Sequence, residues 1–195
     1  MSRGTKGRSG NNTLRIIGGL WRGRKLSFIP TEGLRPTTDR VRETLFNWLA
    51  ADLQGAQCLD LFAGSGALGL ESLSRGAAHC DFVDTSAAAI KQLRSHLQVL
   101  DDEGRGNCHA DSALSFLAKA KLRWDIVFVD PPFGQDLLAP ACDLLARQKC
   151  LAPGAMVYIE SGAKEQLPDL PANWEPHREK KAGGVSYRLF IVHPE

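Results

Sequence analysis

The chain lacks any apolar run approaching the ~18 residues of a membrane span, and its N-terminus has no apolar stretch of the kind that marks a signal peptide. It has no C-x-x-C pair, and its five cysteines (58, 80, 108, 142 and 150) are odd in number. A disulfide framework or a zinc site is therefore not expected, and a reducing cytoplasm is the simplest location. None of the five histidines (79, 96, 109, 177 and 193) stands in metal-like spacing, so no metal is expected. Aromatics are sparse at 7%, while ten prolines and nineteen glycines are ordinary for a globular chain and exclude collagen-like or globally disordered chemistry.

What is present is 195 residues, 43% hydrophobic and 24% charged, enough for one sizeable core or a domain with a small extension. The net charge is only +2, but it is unevenly placed. Up to position 42 there are ten basic and two acidic residues, leaving fourteen against twenty in the other 153. A basic arm on a mildly acidic body suits a polyanion. Trp21 interleaved with Arg22, Arg24 and Lys25 adds a stacking surface among cations, which points to RNA. A solvated tail is the competing reading.

Residues 1–13 read as a flexible basic tail. Apolar stretches at 14–17 and 24–29, separated by Gly18, Gly19 and Gly23, predict a small hairpin. Residues 30–36 form a loop, and Thr37 or Thr38 caps a helix whose apolar side is Val41, Leu45, Leu49 and Leu53. Together 14–53 make an RNA-contacting N-terminal extension. From 54 to 195 the pattern becomes strand–helix alternation. Buried parallel strands are expected at 58–62, 80–83, 107–110, 126–129 and 155–159, with helices at 67–74, 86–100, 112–119 and 137–149. A last strand at 185–192 follows a Gly183-Gly184 turn. This predicts an α/β fold with a doubly wound, Rossmann-like sheet, whose ligands bind beyond the carboxyl ends of the strands.

Two motifs fall at such ends. Asp60-Leu61-Phe62-Ala63-Gly64-Ser65-Gly66-Ala67-Leu68-Gly69 follows the first expected strand and opens a helix, and Gly64-x-Gly66-x-x-Gly69 matches the dinucleotide fingerprint. Asp84 closes the next strand, where a carboxylate can accept the two hydroxyls of a ribose, although it could instead serve the following helix N-terminus. NAD and S-adenosylmethionine fit this much alike. Asp60 favours the latter, since a carboxylate repels a pyrophosphate and attracts a sulfonium. Asp111 could accept from an adenine amino group, or cap the helix opening at Ser112.

The second motif is Asp130-Pro131-Pro132-Phe133, after a very apolar strand. Two prolines cannot continue a strand, so the chain leaves at the carboxyl edge of the sheet. The Asp130 carboxylate and the Pro131 carbonyl can accept the hydrogens of a base's exocyclic amine and localise its lone pair. Phe133 offers a face for the extruded base.

Asp130-Pro131-Pro132-Phe133 resembles the fourth motif of S-adenosylmethionine-dependent N-methyltransferases. Arg15-Ile16-Ile17-Gly18-Gly19, the segment Trp21 to Leu26, and above all Gly33-Leu34-Arg35-Pro36-Thr37-Thr38-Asp39-Arg40-Val41-Arg42-Glu43-Thr44-Leu45-Phe46-Asn47-Trp48-Leu49 make the resemblance closer, and it continues through the glycine loop, Phe128 to Phe133 and Tyr187-Arg188-Leu189. Over about residues 14–190 the chain is similar to the bacterial 16S ribosomal RNA guanine-N2 methyltransferases. That resemblance implies a class I methyltransferase fold and methylation of one guanine N2 in small-subunit rRNA, on an assembled or assembling particle. It implies S-adenosylmethionine bound by Asp60, Phe62, Ala63, Gly64, Gly66, Asp84, Asp111 and Ser112. Asp130, Pro131, Pro132 and Phe133 would hold the target amine and base. Arg15, Trp21, Arg22, Arg24, Lys25, Arg35, Arg40 and Arg42 would contact RNA. Family members often carry Glu where this chain has Asp84. A monomer without membrane contact is expected. The alternatives are an adenine-N6 methyltransferase acting on DNA or RNA, an NAD oxidoreductase, and a non-catalytic RNA-binding assembly factor.

Overall fold

The computed structural model describes residues 12–28, 37–100 and 104–194. Most of the expected basic tail, and the loop expected at 30–36 with Arg35, lie outside the described residues. The elements are β1 (Asn12–Arg15), β2 (Lys25–Phe28), α1 (Asp39–Trp48), β3 (Gln57–Asp60), α2 (Ala67–Ser74), β4 (His79–Asp84), α3 (Ala87–Leu100), β5 (Gly106–Ala110), α4 (Ala113–Lys119), β6 (Trp124–Val129), α5 (Leu138–Arg147), β7 (Leu151–Gly162), β8 (Trp174–Ala182) and β9 (Val185–Val192).

Seven strands form one sheet in the order β5-β4-β3-β6-β7-β9-β8, while β1 and β2 pair separately as an antiparallel hairpin. Strands β3 to β7 are parallel, and β9 runs antiparallel between β7 and β8. The chain winds outward from β3 to β5, then returns to place β6 on the other side of β3. The crevice between the carboxyl ends of β3 and β6 is thus the topological switch point of a doubly wound sheet.

The centre of the sheet is apolar on both faces. In β6, Ile126 and Phe128 enter one core cluster while Val127 and Val129 enter the other, all four fully buried. That is why β6 reads as a continuous rather than alternating run. The first cluster also holds Leu14, Ile16, Trp21, Leu26 and Phe28 of the hairpin and Val41, Leu45 and Phe46 of α1. The N-terminal segment therefore shares a core with the sheet. Every residue of α2 is buried, because one side lies on the sheet and the hairpin covers another. Gly69 makes the inner contact possible: a Cβ there would sit 2.2 Å from Phe82 Cε1. Gly19 makes the outer one, since a Cβ would meet the Ser74 carbonyl oxygen at 1.9 Å.

Helix α1 begins where capping chemistry places it, with the Val41 N–H donating to Thr38 Oγ1 at 3.3 Å. Three strands differ from the sequence expectation. β1 begins at Asn12, two residues inside the expected tail, because Asn12 and Thr13 pair with Phe28 and Ser27, and it ends at Arg15. β7 starts at Leu151 rather than 155, because Leu151 pairs with Trp124 before a register shift to Ile126↔Met156. β8 was not expected at all. Its sequence, WEPHREKKA, buries only Trp174, as suits an edge strand paired on one side. Among the described residues no helix is long and apolar enough to cross a membrane.

Candidate active site at the sheet switch point

The glycine loop climbs from β3 between its two neighbours. Leu61 N–H donates to the Phe128 carbonyl on β6 at 3.1 Å, and Ala63 N–H to the Val83 carbonyl on β4 at 2.9 Å. The turn then needs left-handed backbone at Gly64 (φ +51°) and Gly66 (φ +77°), where a side chain would be strained. At Gly66 a Cβ would also fall 2.3 Å from Leu93 Cδ1. Ala63 is buried, and Phe62 is half-buried against the second core cluster.

Asp84, half-buried at the end of β4, fixes this turn. Its Oδ2 accepts the Gly64 N–H and its Oδ1 the Ser86 N–H, both at 2.8 Å. Each oxygen of a carboxylate has a second lone pair, so the ribose-binding geometry stays available. Asp111 closes β5. Its Oδ1 accepts the Ser112 N–H at 2.8 Å, and its Oδ2 lies 3.3 Å from Ser115 Oγ and 3.4 Å from Lys119 Nζ. The Ser115 hydroxyl, the Ser112 N–H and the Lys119 ammonium hold its carboxyl below the usual carboxylate range. Ser112 is exposed and caps α4 by accepting the Ser115 N–H. The helix-start role left open for Asp111 is thus present.

Asp60 departs from a simple cofactor-facing role. Only 2% of it is exposed, and its Oδ2 accepts the Gly69 N–H at 2.9 Å, tying β3 to the first turn of α2. Burial pushes its pKa up to about 7; the Gly69 hydrogen bond opposes this and the charge of Asp84 adds to it. It sits beneath the loop as a buried acid rather than lining an open surface.

Two positions above Phe128, which pairs with Asp60, Asp130 emerges from the end of β6. Solvent reaches part of its side chain, yet it is packed closely enough for desolvation to raise its pKa well above the ordinary value, helped by the charges of Glu160 and Asp60. Thr37 Oγ1, just before α1, donates to Asp130 Oδ2 at 3.4 Å. Pro131 is half-buried, Pro132 is exposed, and Phe133 is 43% exposed. A cavity of about 320 Å³ opens beside them, lined by Pro131, Pro132, Phe133, Glu160 and Ser161 among others.

Glu160 was missed by sequence reasoning. It is the tenth residue of β7, 5% exposed, and its Oε2 accepts a 2.8 Å hydrogen bond from the Tyr158 hydroxyl. The parallel register Val129↔Ile159 carries Asp130 opposite Glu160, on the sheet face that also bears Phe128 and Tyr158. No sequence motif marks it, because it lies in an ordinary strand.

The basic residues divide. Arg22, Arg24, Lys25 and Arg40 are exposed, and Arg15 is exposed while paired with Asp39 at 3.1 Å. Two expectations are overturned. Trp21 is only 6% exposed, packed in the core with its backbone N–H donating to Ser74 Oγ and Arg105 over its ring at 5.5 Å, so it offers no stacking surface. Arg42 is 1% exposed and holds the fold together. Its Nη2 donates to the Arg15 carbonyl and to Asp39 Oδ1, and its Nη1 lies 3.4 Å from Glu71 Oε2. Glu71, also unforeseen and fully buried, further accepts the Ile17 and Gly18 N–H groups and Arg75 Nε.

The left-handed glycine turn, the acid at the end of β4 and the buried acid below the loop fit the nucleoside and cationic ends of S-adenosylmethionine. Comparison with known proteins agrees. Residues 14–191 match the family described as Conserved hypothetical protein 95. The chain is 53% identical over 182 residues to Ribosomal RNA small subunit methyltransferase D of Escherichia coli K12, covering 93% of this chain and 91% of that protein. The Haemophilus influenzae protein of the same name is 44% identical over 180 residues, covering 91% and 93%. Among solved structures, Escherichia coli yhhF superposes with a TM-score of 0.86 at 51% identity, covering 94% of this chain and all of that one. A Thermus thermophilus 16S rRNA N2 G1207 methyltransferase in complex with AdoMet and guanosine shares the fold, with a TM-score of 0.64 at 21% identity over 94% of this chain and 50% of that one. With the sheet order, the switch-point loop and these likenesses in agreement, the chain belongs to the S-adenosylmethionine-dependent methyltransferase family that includes the ribosomal RNA small subunit methyltransferases D.

Proposed function

We propose that this chain methylates the exocyclic N2 of one guanine in 16S ribosomal RNA, within the small subunit or an assembly intermediate. The observation that carries the reading is Asp130 at the tip of β6, at the switch point, with Pro131 carrying no N–H and Phe133 presenting a partly exposed ring. The names of the relatives support the RNA substrate.

When bound, S-adenosylmethionine supplies an electrophilic methyl: the N2 lone pair bonds to it, and the C–S pair stays on sulfur. The chain's own residues orient that encounter. Gly64 and Gly66 let the loop backbone approach the methionyl part, Asp84 holds the ribose, and Asp111 with Ser112 borders the adenine. Asp60 lies beneath as a buried acid, whose ionised form the positive charge of the bound sulfonium would favour. The Asp130 carboxylate and the Pro131 carbonyl accept the two N2 hydrogens, which concentrates the lone pair on nitrogen. Phe133 stacks on the extruded base. As the new N–C bond forms, the surplus N2 proton passes to Asp130. A strong base is not required, because the amine turns acidic only while its methyl is being acquired. Fixing the amine in line is the main device, worth up to ~7–11 kcal/mol in favourable cases.

Exposed Arg22, Arg24, Lys25, Arg15 and Arg40 grip RNA phosphates, with Arg35 as a further contact. The test is Asp130→Ala. Turnover should be lost while the calorimetric affinity for S-adenosylmethionine stays within a few fold; turnover close to wild type would remove Asp130 from the mechanism.

A further inference from the structure

The acid on the neighbouring strand has no place in the mechanism above, yet it borders the same cavity. Asp130 directly follows the last paired residue of β6 and Glu160 directly follows its partner Ile159 on β7, and the charge of Glu160 is felt at Asp130. Glu160 lines the cavity together with Pro131, Pro132 and Phe133, the residues that directly follow Asp130 in the chain. Tyr158, two residues before Glu160 on the same face and fully buried, fixes one carboxylate oxygen with its hydroxyl. Burial and the nearby Glu160 and Asp130 charges drive the Tyr158 pKa upward, so the phenol remains a donor. On the far side, Tyr187 of β9 pairs in register with Glu160 and stacks on Trp48 at 5.4 Å between ring centroids, closing that flank with a rigid wall.

Two fixed acceptors in a row select among bases. Guanine alone presents two adjacent donors on its pairing edge, N1–H beside the N2 amine. Adenine and cytosine offer a single amine next to a ring nitrogen that accepts, and uracil places its one N–H between two carbonyls. An acceptor-only carboxylate beside Asp130 therefore meets a donor in guanine and a lone pair in adenine or cytosine.

Resting on the guanine-N2 reading, we infer that Glu160 is the residue that chooses guanine: its carboxylate accepts the N1–H while Asp130 receives the N2 amine, and Tyr158 is its positioning residue. The division of labour explains why two acids are kept together where their charges oppose each other. Without a donor from the base, Glu160 would face a ring lone pair in a desolvated site, the kind of mismatch that rejects an analogue by several orders of magnitude.

The test uses 2-aminopurine, which keeps the N2 amine but has an accepting N1. Small subunits reconstituted with guanine or 2-aminopurine at the modified position are methylated by wild type, Glu160→Gln and Tyr158→Phe, and kcat/KM is read for each. Wild type should prefer guanine by at least about 100-fold. Gln retains the shape of Glu and can turn its amide N–H towards N1. Glu160→Gln should therefore lose about 10–100-fold on guanine while 2-aminopurine is unchanged or improved, so the preference collapses. Tyr158→Phe should lower the preference less, in the same direction. A Glu160→Gln protein that slows both substrates equally, with its preference intact, overturns the inference and leaves Glu160 a packing residue. Affinity for S-adenosylmethionine, measured alongside, reports whether each variant is folded. If wild type yields no N2-methylguanosine on the guanine subunits, the underlying function falls, and the inference with it. If it does and the preference survives in both variants, the inference alone fails.

Discussion

Glu71→Ala should cost more than any other single change outside the reaction centre. The side chain is fully buried on α2 and is the common acceptor for four donors: the Ile17 N–H at 2.9 Å, the Gly18 N–H at 2.8 Å, Arg75 Nε at 2.8 Å and Arg42 Nη1 at 3.4 Å. Two of these are backbone groups of the segment joining β1 to β2, and Arg42 is 1% exposed. Removing the acid leaves a buried guanidinium with less counter-charge and two N–H groups without their partner. Breaking one side of a buried pair costs about 3–5 kcal/mol, and orphaned N–H groups add to the same penalty rather than offsetting it. Against a total stability of about 5–15 kcal/mol this is a large fraction. With a urea slope near 2 kcal/mol per molar, the midpoint should fall by roughly 2 M. Urea unfolding followed by tryptophan fluorescence measures it, and Trp21 on the hairpin reports the local effect. Adding Arg42→Met should recover part of the loss, because it removes the stranded charge. A fall below about 0.5 M, or no recovery in the double variant, would refute the claim that Glu71 is the anchor of the hairpin.

Three further outcomes follow from the same structure. Gly69→Ala pushes a methyl into Phe82 Cε1 at 2.2 Å and Cys80 Sγ at 2.8 Å, both fully buried, and should lower stability in urea by about 1–3 kcal/mol; an unchanged midpoint would mean that α2 is not pressed against β4. Asp60 has a folded pKa of about 7, raised from 3.8, so its contribution is fully present below about pH 4 and is lost as pH rises through 7. Asp60→Asn, which still accepts the Gly69 N–H, should therefore gain on wild type in urea midpoint between pH 5 and pH 8, and a loss over that range would contradict the sign. Reversing the charge of Arg22 or Arg24 should weaken RNA binding and flatten its salt dependence; an unchanged slope would assign these exposed side chains to solvent.

Much of the sheet was legible because its signals are local. The continuous apolar run of β6 records burial on both faces, and the glycines at 64, 66 and 69 record positive φ or close helix–strand contact. Helix α2 and strand β9 fall where periodicity and the Gly183-Gly184 turn place them. β8 was not legible, since an edge strand paired on one side needs no apolar pattern, and Glu, Lys and Pro weaken its propensity. Trp21 and Arg42 misled for a related reason. Composition counts them as cation and aromatic, but only tertiary packing decides that Trp21 fills the core and that Arg42 meets Glu71 and Asp39. Glu71 ends the glycine-loop stretch without filling any position of its fingerprint, and Glu160 lies outside any motif. Their importance comes from which strand or hairpin is their neighbour, and that is long-range information.

The most direct measurement is nucleoside mass spectrometry of 16S rRNA from small subunits lacking the modification, after incubation with this protein and S-adenosylmethionine carrying a heavy methyl. The account predicts one labelled nucleoside, N2-methylguanosine, at a single position. A label on adenine N6 or guanine N1, or on no nucleoside, would contradict it.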